Sequence, residues 1–197
     1  MKNNKNIIKK YLRESVDVIK SLSKFEQKIQ TLSTIIHKKI KTNKNIFVTG
    51  NGGSLADAMH FVTELNCTFI NKKRKPIKSF VLGDSVVSMS AWSNDFNYET
   101  FQSRILEGVG EKGDLLIVLS TSGGNLKSKQ SMNLINLCKL AKKKNIYVAA
   151  LLGRDGGVVK KNTNFNLILE NKNTAQIQEG HMTILHLLCQ ILEKQKI

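Results

Sequence analysis

Ile46-Phe47-Val48-Thr49-Gly50-Asn51-Gly52-Gly53-Ser54 is the stretch on which the fold turns. Its first four residues are apolar or β-branched, which suits a strand buried on both faces. The glycines behind it let the backbone turn tightly and come close to a ligand. At Ser54 a helical pattern begins that runs to about Cys67. The same grammar recurs along the chain. Phe80-Val81-Leu82, Leu115 to Leu119, Ile146 to Leu151 and Leu167 to Leu169 are further short apolar runs. Helical patterns over about Tyr98 to Val109, Leu126 to Lys144 and Thr174 to Glu193 alternate with them. Strand and helix in alternation predict an α/β fold. It is a doubly wound, five-stranded parallel sheet flanked by helices, with every strand buried on both sides. Ligands of such sheets bind beyond the carboxyl ends of the strands, where the strand order reverses.

Ahead of the sheet, residues 1–42 read as an N-terminal helical arm, and residues 43–197 as the domain proper, the two making a single structural unit. Ile7, Ile8, Tyr11, Leu12, Val16, Ile19 and Leu22 recur at helical steps, and Phe25, Ile29, Leu32, Ile35, Ile36 and Ile40 continue the rhythm. No glycine or proline interrupts before Gly50, so the arm is one long helix or two in tandem. Its apolar stripe is too long for one small sheet to cover, which predicts packing against another subunit.

Composition narrows the function classes. The chain has 197 residues, 41% hydrophobic and 23% charged, an ordinary globular balance that excludes disordered and fibrous scaffolds. Cys67, Cys138 and Cys189 form no CxxC pair, so neither a disulfide framework nor a cysteine zinc site is expected. No run of about 18 apolar residues marks a membrane span. Met1 to Lys10 lacks the apolar core of a signal peptide, so the expected location is the cytoplasm. The net charge of +16 points towards anions. Yet only Arg13, Arg74, Arg104 and Arg154 are arginines, and the lysines are scattered, which argues against a nucleic-acid partner. A small anionic substrate fits the charge as well.

Two loops carry glycine and hydroxyl chemistry. Gly50 to Ser54 precedes a helix, whose free N–H groups and partial positive charge suit an anion. It matches neither the dinucleotide nor the P-loop fingerprint, and Ser54 as a plain cap is the alternative. Ser120-Thr121-Ser122-Gly123-Gly124-Asn125, expected to lead directly into a helix, can bind phosphate oxygens without a lysine. An ordinary loop capped by Asn125 is the alternative. Asn94-Asp95 follows a helical stretch with Val87, Met89 and Trp92, and reads as a binding pair or a turn.

Three further groups have ligand chemistry. His60 and Glu64, four apart, share one helix face and could hold a metal, move protons together, or simply bond each other. Gln178 and His186 are eight apart, about 12 Å along a helix and about 80° apart in direction. They join one site only by reaching towards a point between them, or from different subunits. His181 lies off that face and reads as structural or supporting.

The ordered set Gly50-Asn51-Gly52-Gly53-Ser54, Asp57-Ala58-Met59-His60-Phe61, Glu64, Asn94-Asp95-Phe96, Ser120-Thr121-Ser122-Gly123, Gln178-Glu179 and His186 closely resembles the phosphoheptose isomerases. These are sugar-isomerase (SIS) domain enzymes that convert sedoheptulose 7-phosphate to D-glycero-D-manno-heptose 7-phosphate. The likeness spans nearly the whole chain. It implies an aldose–ketose isomerase working through an enediol, feeding nucleotide-activated heptose into lipopolysaccharide or capsule. It implies a homotetramer with active sites at subunit contacts and one zinc per site, held by His60, Glu64, Gln178 and His186. Glu64 and His186 would be the catalytic pair. Substrate would meet Asn51, Gly52, Gly53, Ser54, Glu64, Asn94, Asp95, Ser120, Thr121, Ser122, Asn125 and Gln178. The chain departs from the family pattern at Asn125, commonly serine, and at Thr68 and Gln176, commonly arginine. Those departures keep another ketose phosphate open as substrate. A non-catalytic SIS relative that binds the replication initiator is the other alternative. That group lacks the acid and the histidine found here at Glu64 and His186.

Overall fold

The computed structural model describes residues 2–195. The arm is two helices, α1 (Lys2–Ser21) and α2 (Glu26–Lys41), joined by a 3-10 turn at Leu22–Phe25. Strands β1 (Ile46–Thr49), β2 (Ser79–Val81), β3 (Leu115–Ser120), β4 (Tyr147–Gly153) and β5 (Phe165–Leu169) follow. Helices α3 (Gly53–Asn66), α4 (Val86–Asp95), α5 (Phe101–Val109), α6 (Met132–Lys143) and α7 (Thr174–Lys194) complete the chain. All strand pairings are parallel, in the order β2-β1-β3-β4-β5. The order reverses between β1 and β3, so the crevice rule places ligands beside the loops after those two strands.

Side-chain alternation along the strands sorts the core into two layers. Ile46, Val48, Leu115, Ile117, Leu119, Ala149 and Leu151 face a layer built from α2, α3 and α7. Phe47, Leu116, Val118, Val148, Ala150 and Leu152 face α5 and α6. Leu32 and Ile36 of α2 lie fully inside the first layer, so half of the arm is core helix. The other half, α1, lies on α7. Tyr11 Oη donates to Glu179 Oε1 at 2.5 Å, and Gln176 Nε2 donates to Glu14 Oε2 at 3.1 Å.

Three expectations change. The outer strands are not buried on both faces: β2 leaves Phe80 47% exposed, and β5 is only partly covered. Helix α6 starts at Met132 rather than Leu126. Residues 125–130 instead form a small hairpin closed by reciprocal backbone bonds between Asn125 and Gln130. Ser131 then enters the helix in the left-handed conformation. Asn94 and Asp95 are the last residues of α4 rather than a separate turn. Among the described residues no helix is long and apolar enough to cross a membrane, and the three cysteines are free thiols.

His181 is fully buried on α7, and its ring nitrogens make no well-formed hydrogen bond. Burial pushes its pKa down to about 4, an effect the Leu152 backbone only partly offsets. An unfolded histidine titrates near 6.5. Between those values the unfolded chain binds one more proton than the folded chain. This group's contribution to stability is therefore intact above about pH 6.5 and is lost as pH falls towards 4. The difference between unfolding free energies at pH 7 and pH 5 should shrink by about 1–2 kcal/mol in His181→Leu. Paired denaturant titrations check this, and an identical pH dependence in both proteins contradicts it.

Candidate active site

The loop after β1 makes its turn at Gly52, whose φ of +53° strains any other residue. Gly52, not Ser54, caps α3, while Ser54 is buried one residue inside it. Gly53 sits at a close approach to a side chain of α7. A Cβ there would lie 2.5 Å from Gln178 Nε2, so the Gln178 amide lies against the first turn of α3.

Beneath this loop runs a polar network. Thr49 Oγ1 donates to the Leu82 carbonyl at 2.6 Å, and Gln102 Nε2 donates to Thr49 Oγ1 at 2.8 Å. Asn133 Nδ2 donates to Gln102 Oε1 and to Asn51 Oδ1, each at 2.7 Å. Tyr98 Oη also reaches Asn51 Oδ1, at 3.1 Å. The Asn51 side chain is thereby occupied with holding the loop. Gln102 and Asn133, both 1% exposed, escaped the sequence reading. Their only signal was a polar residue on the buried face of an amphipathic helix.

In the loop after β3, Ser120 Oγ accepts the Gly123 N–H at 3.0 Å and Ser122 Oγ accepts the Gly124 N–H at 3.2 Å. Each hydroxyl keeps its own proton for an external acceptor, as does Thr121. The loop is braced from behind. Val158 and Val159 donate backbone N–H groups to the Gly124 and Gly123 carbonyls, and a Cβ on Gly123 would sit 2.0 Å from the Gly156 oxygen. Asn125 is no helix cap: its Oδ1 accepts from the Lys127 and Ser128 backbone. The hairpin returns the chain to its start, so the first turn of α6 still lies by the loop. A Cβ on Gly124 would meet Ile135 Cδ1 at 2.9 Å. Asn94 and Asp95 are exposed and bonded to each other at 2.9 Å.

His60, Glu64 and His186 come together where α3 and α7 pack side by side. His60 Nε2 lies 3.1 Å from Glu64 Oε1, and the His60 and His186 rings meet edge-on with centroids 5.2 Å apart. Phe69 stacks on the other side of His186 at 5.7 Å. Gln178 stands apart, at the level of Gly53, seven residues or about 10 Å of helix before His60. His60's side chain tilts back towards that end, as all helical side chains do. Between them on α3 lies Asp57, another residue without a role in the sequence reading. Its Oδ2 is buried without a partner, and burial pushes its pKa up to about 6 against the opposing pull of His60.

Among the described residues no three histidine, cysteine, aspartate or glutamate side chains form a ready-made metal cage. The donor chemistry nonetheless suits zinc, with two imidazoles and one carboxylate in a single cluster. In a tetrahedral site with bonds of about 2.05 Å, neighbouring donors are about 3.4 Å apart. The 3.1 Å between His60 Nε2 and Glu64 Oε1 is close to that edge.

Comparison with known proteins identifies the family. The SIS domain model matches residues 10–153. The phosphoheptose isomerase of Sulfurimonas denitrificans is 36% identical over 97% of this chain and 96% of its own. Solved phosphoheptose isomerases superpose throughout. The one from Francisella tularensis has a TM-score of 0.89 at 25% identity, covering 97% of this chain and 98% of its own. The one from Neisseria gonorrhoeae has a TM-score of 0.87 at 26% identity, covering 96% and 98%. The chain belongs to the SIS-domain family and, within it, to the phosphoheptose isomerases.

Gln102 is the hub of the buried network, so Gln102→Leu removes the donor to the Thr49 hydroxyl and one of the two acceptors of the Asn133 amide. The expected cost is about 1–3 kcal/mol of stability, with faster amide exchange at residues 50–54. Denaturant titration and hydrogen-exchange mass spectrometry check both, and unchanged protection of that loop contradicts the role.

Proposed function

We propose that the protein interconverts sedoheptulose 7-phosphate and D-glycero-D-manno-heptose 7-phosphate, in the cytoplasm, supplying heptose for lipopolysaccharide or capsule. The observation that carries this reading is the meeting of His60, Glu64 and His186 on α3 and α7. Membership of the phosphoheptose isomerases supports reading that cluster as the place of the reaction.

The reaction moves a proton between C1 and C2 through an enediol. It needs a base at carbon and an acid at oxygen. Glu64 is the base. Its Oε1 is turned to His60, leaving the second oxygen for the proton. His186, half-buried and braced by Phe69, handles the proton at oxygen. His60, Glu64, Gln178 and His186 are the residues that would hold zinc. Bound there, zinc would polarise the substrate carbonyl. The hydroxyls of Ser120, Thr121 and Ser122 and the N–H groups of Gly52 and Gly53 face the anionic end of the sugar, while the Ser54 N–H is taken up by the Asn51 carbonyl.

The assembly reading rests on α1. Ile8, Leu12, Val16 and Ile19 are 39–59% exposed and fall within about 80° of helix arc. We assign this stripe to contacts in a homotetramer, with active sites at the subunit contacts. Leu12→Glu with Val16→Glu should lower the mass measured by analytical ultracentrifugation. A parent-like mass in that variant would move the interface elsewhere.

Mixing the protein with sedoheptulose 7-phosphate and other ketose phosphates, and following the aldose by NMR, tests the activity. One proton-transfer group contributes about 10²–10⁴-fold, so Glu64→Gln should lower kcat at least about 100-fold with the assembly intact. Chelation should lower activity and zinc should restore it. Absence of aldose from the seven-carbon ketose, or full activity in Glu64→Gln, overturns the reading.

A further inference from the structure

Arg74 lies in the connection between α3 and β2, with a side chain only 4% exposed. Its Nη2 donates to the Glu64 carbonyl at 2.6 Å. Its Nη1 donates to the carbonyls of Leu65 at 2.9 Å and Lys75 at 2.6 Å. Its Nε faces Glu193 Oε1 at 3.4 Å, from the last turn of α7. The Glu193 carboxylate, 9% exposed, also accepts the backbone N–H of Ile70 at 3.3 Å and of Asn71 at 3.1 Å. All three guanidinium nitrogens and both carboxylate oxygens therefore have partners.

We propose that Arg74 and Glu193 are a positioning clamp that holds Glu64 on α3 and His186 on α7 in reactive register. The proposal rests on the roles assigned above to Glu64 and His186. Two routes lead from the clamp to the site. Arg74 caps the carboxyl end of α3, where the Glu64 and Leu65 carbonyls have no partner within the helix. It ties that end to α7 two turns beyond His186. Glu193 meanwhile grips Ile70 and Asn71, and so fixes Phe69, the ring stacked on His186.

Burying an ion pair adds little net stability, because desolvation offsets the attraction; fixing a unique register is its best-attested use. Arginine is needed here for its geometry. Its planar fork serves two helix carbonyls and a carboxylate at once, whereas a lysine ammonium is a single point. The clamp touches no reacting atom. Its loss displaces catalytic groups instead, and a misplacement of about 1 Å can cost about 100-fold in rate.

The test uses Arg74→Lys, with Glu193→Gln as a second variant should the first fail to fold. The chain has 4 histidines, so ring NMR of the protein as purified resolves His186, identified by its loss in His186→Gln. Phe69→Leu supplies the His186 shift expected without stacking. We expect Arg74→Lys to stay folded, to move the His186 resonance towards the Phe69→Leu value, and to lower kcat at least about tenfold with KM within about twofold. Glu193→Gln, which keeps an oxygen for the Ile70 and Asn71 amides, should retain more kcat than Glu193→Ala. A folded Arg74→Lys protein with a parent-like His186 shift and parent-like kcat overturns the clamp. So does a fall in kcat that only tracks the folded fraction. Should the parent protein isomerise no ketose phosphate, the functional reading fails, while the His186 shift still decides the clamp.

Discussion

The side-by-side packing of α3 and α7 is the constraint on which the site depends. One helix leaves the first strand and the other closes the chain, yet they run in the same direction on one face of the sheet. Gly53 lies against Gln178, and His60 meets His186. The offset between partners is nearly constant along the pair. It follows that α7 cannot slide by one turn without breaking every contact of the seam. Apolar residues such as Ala58, Phe61, Leu65, Leu185 and Leu188 fill the space between this pair and the sheet. The core thus fixes the register, and polar side chains on the same two helices inherit it.

The two glycine loops answer a different demand. Each must expose N–H groups or hydroxyls without wandering, because flexible donors lose their advantage as an anion site. Rigidity comes from below in one case and from behind in the other. Gln102 and Asn133 hold Asn51 from beneath, while the Gly156-Gly157 backbone presses against Gly123 and Gly124. Serine oxygens used to brace their own loop still keep their protons for a ligand. Support and recognition therefore share the same atoms.

What could be read in the sequence followed periodicity. The strands, their parallel arrangement and the helical arm showed in apolar runs and in helical spacing, whereas the order of the strands in the sheet did not. His60 and Glu64 could be paired because four residues along a helix bring side chains to one face. Contacts between distant segments left no such trace. Arg74 and Glu193 are 119 residues apart, and nothing local marks either as a partner. The start of α6 was misplaced for a related reason. Leu126 continues an apolar rhythm, and no glycine or proline follows it to announce the hairpin. Ser131 adopts the left-handed conformation that ends the hairpin, although serine is not a residue that signals it. Edge exposure of Phe80 was equally hidden, since an edge strand and a central strand share one apolar pattern when short.

The central claim is that the reaction runs on the seam between α3 and α7. Anomalous diffraction at the zinc edge from zinc-loaded crystals tests it most directly. The account predicts one strong peak per site within bonding distance of His60, Glu64, Gln178 and His186. A catalytically active crystal form whose zinc peak lies away from that seam, or that shows none, would contradict it.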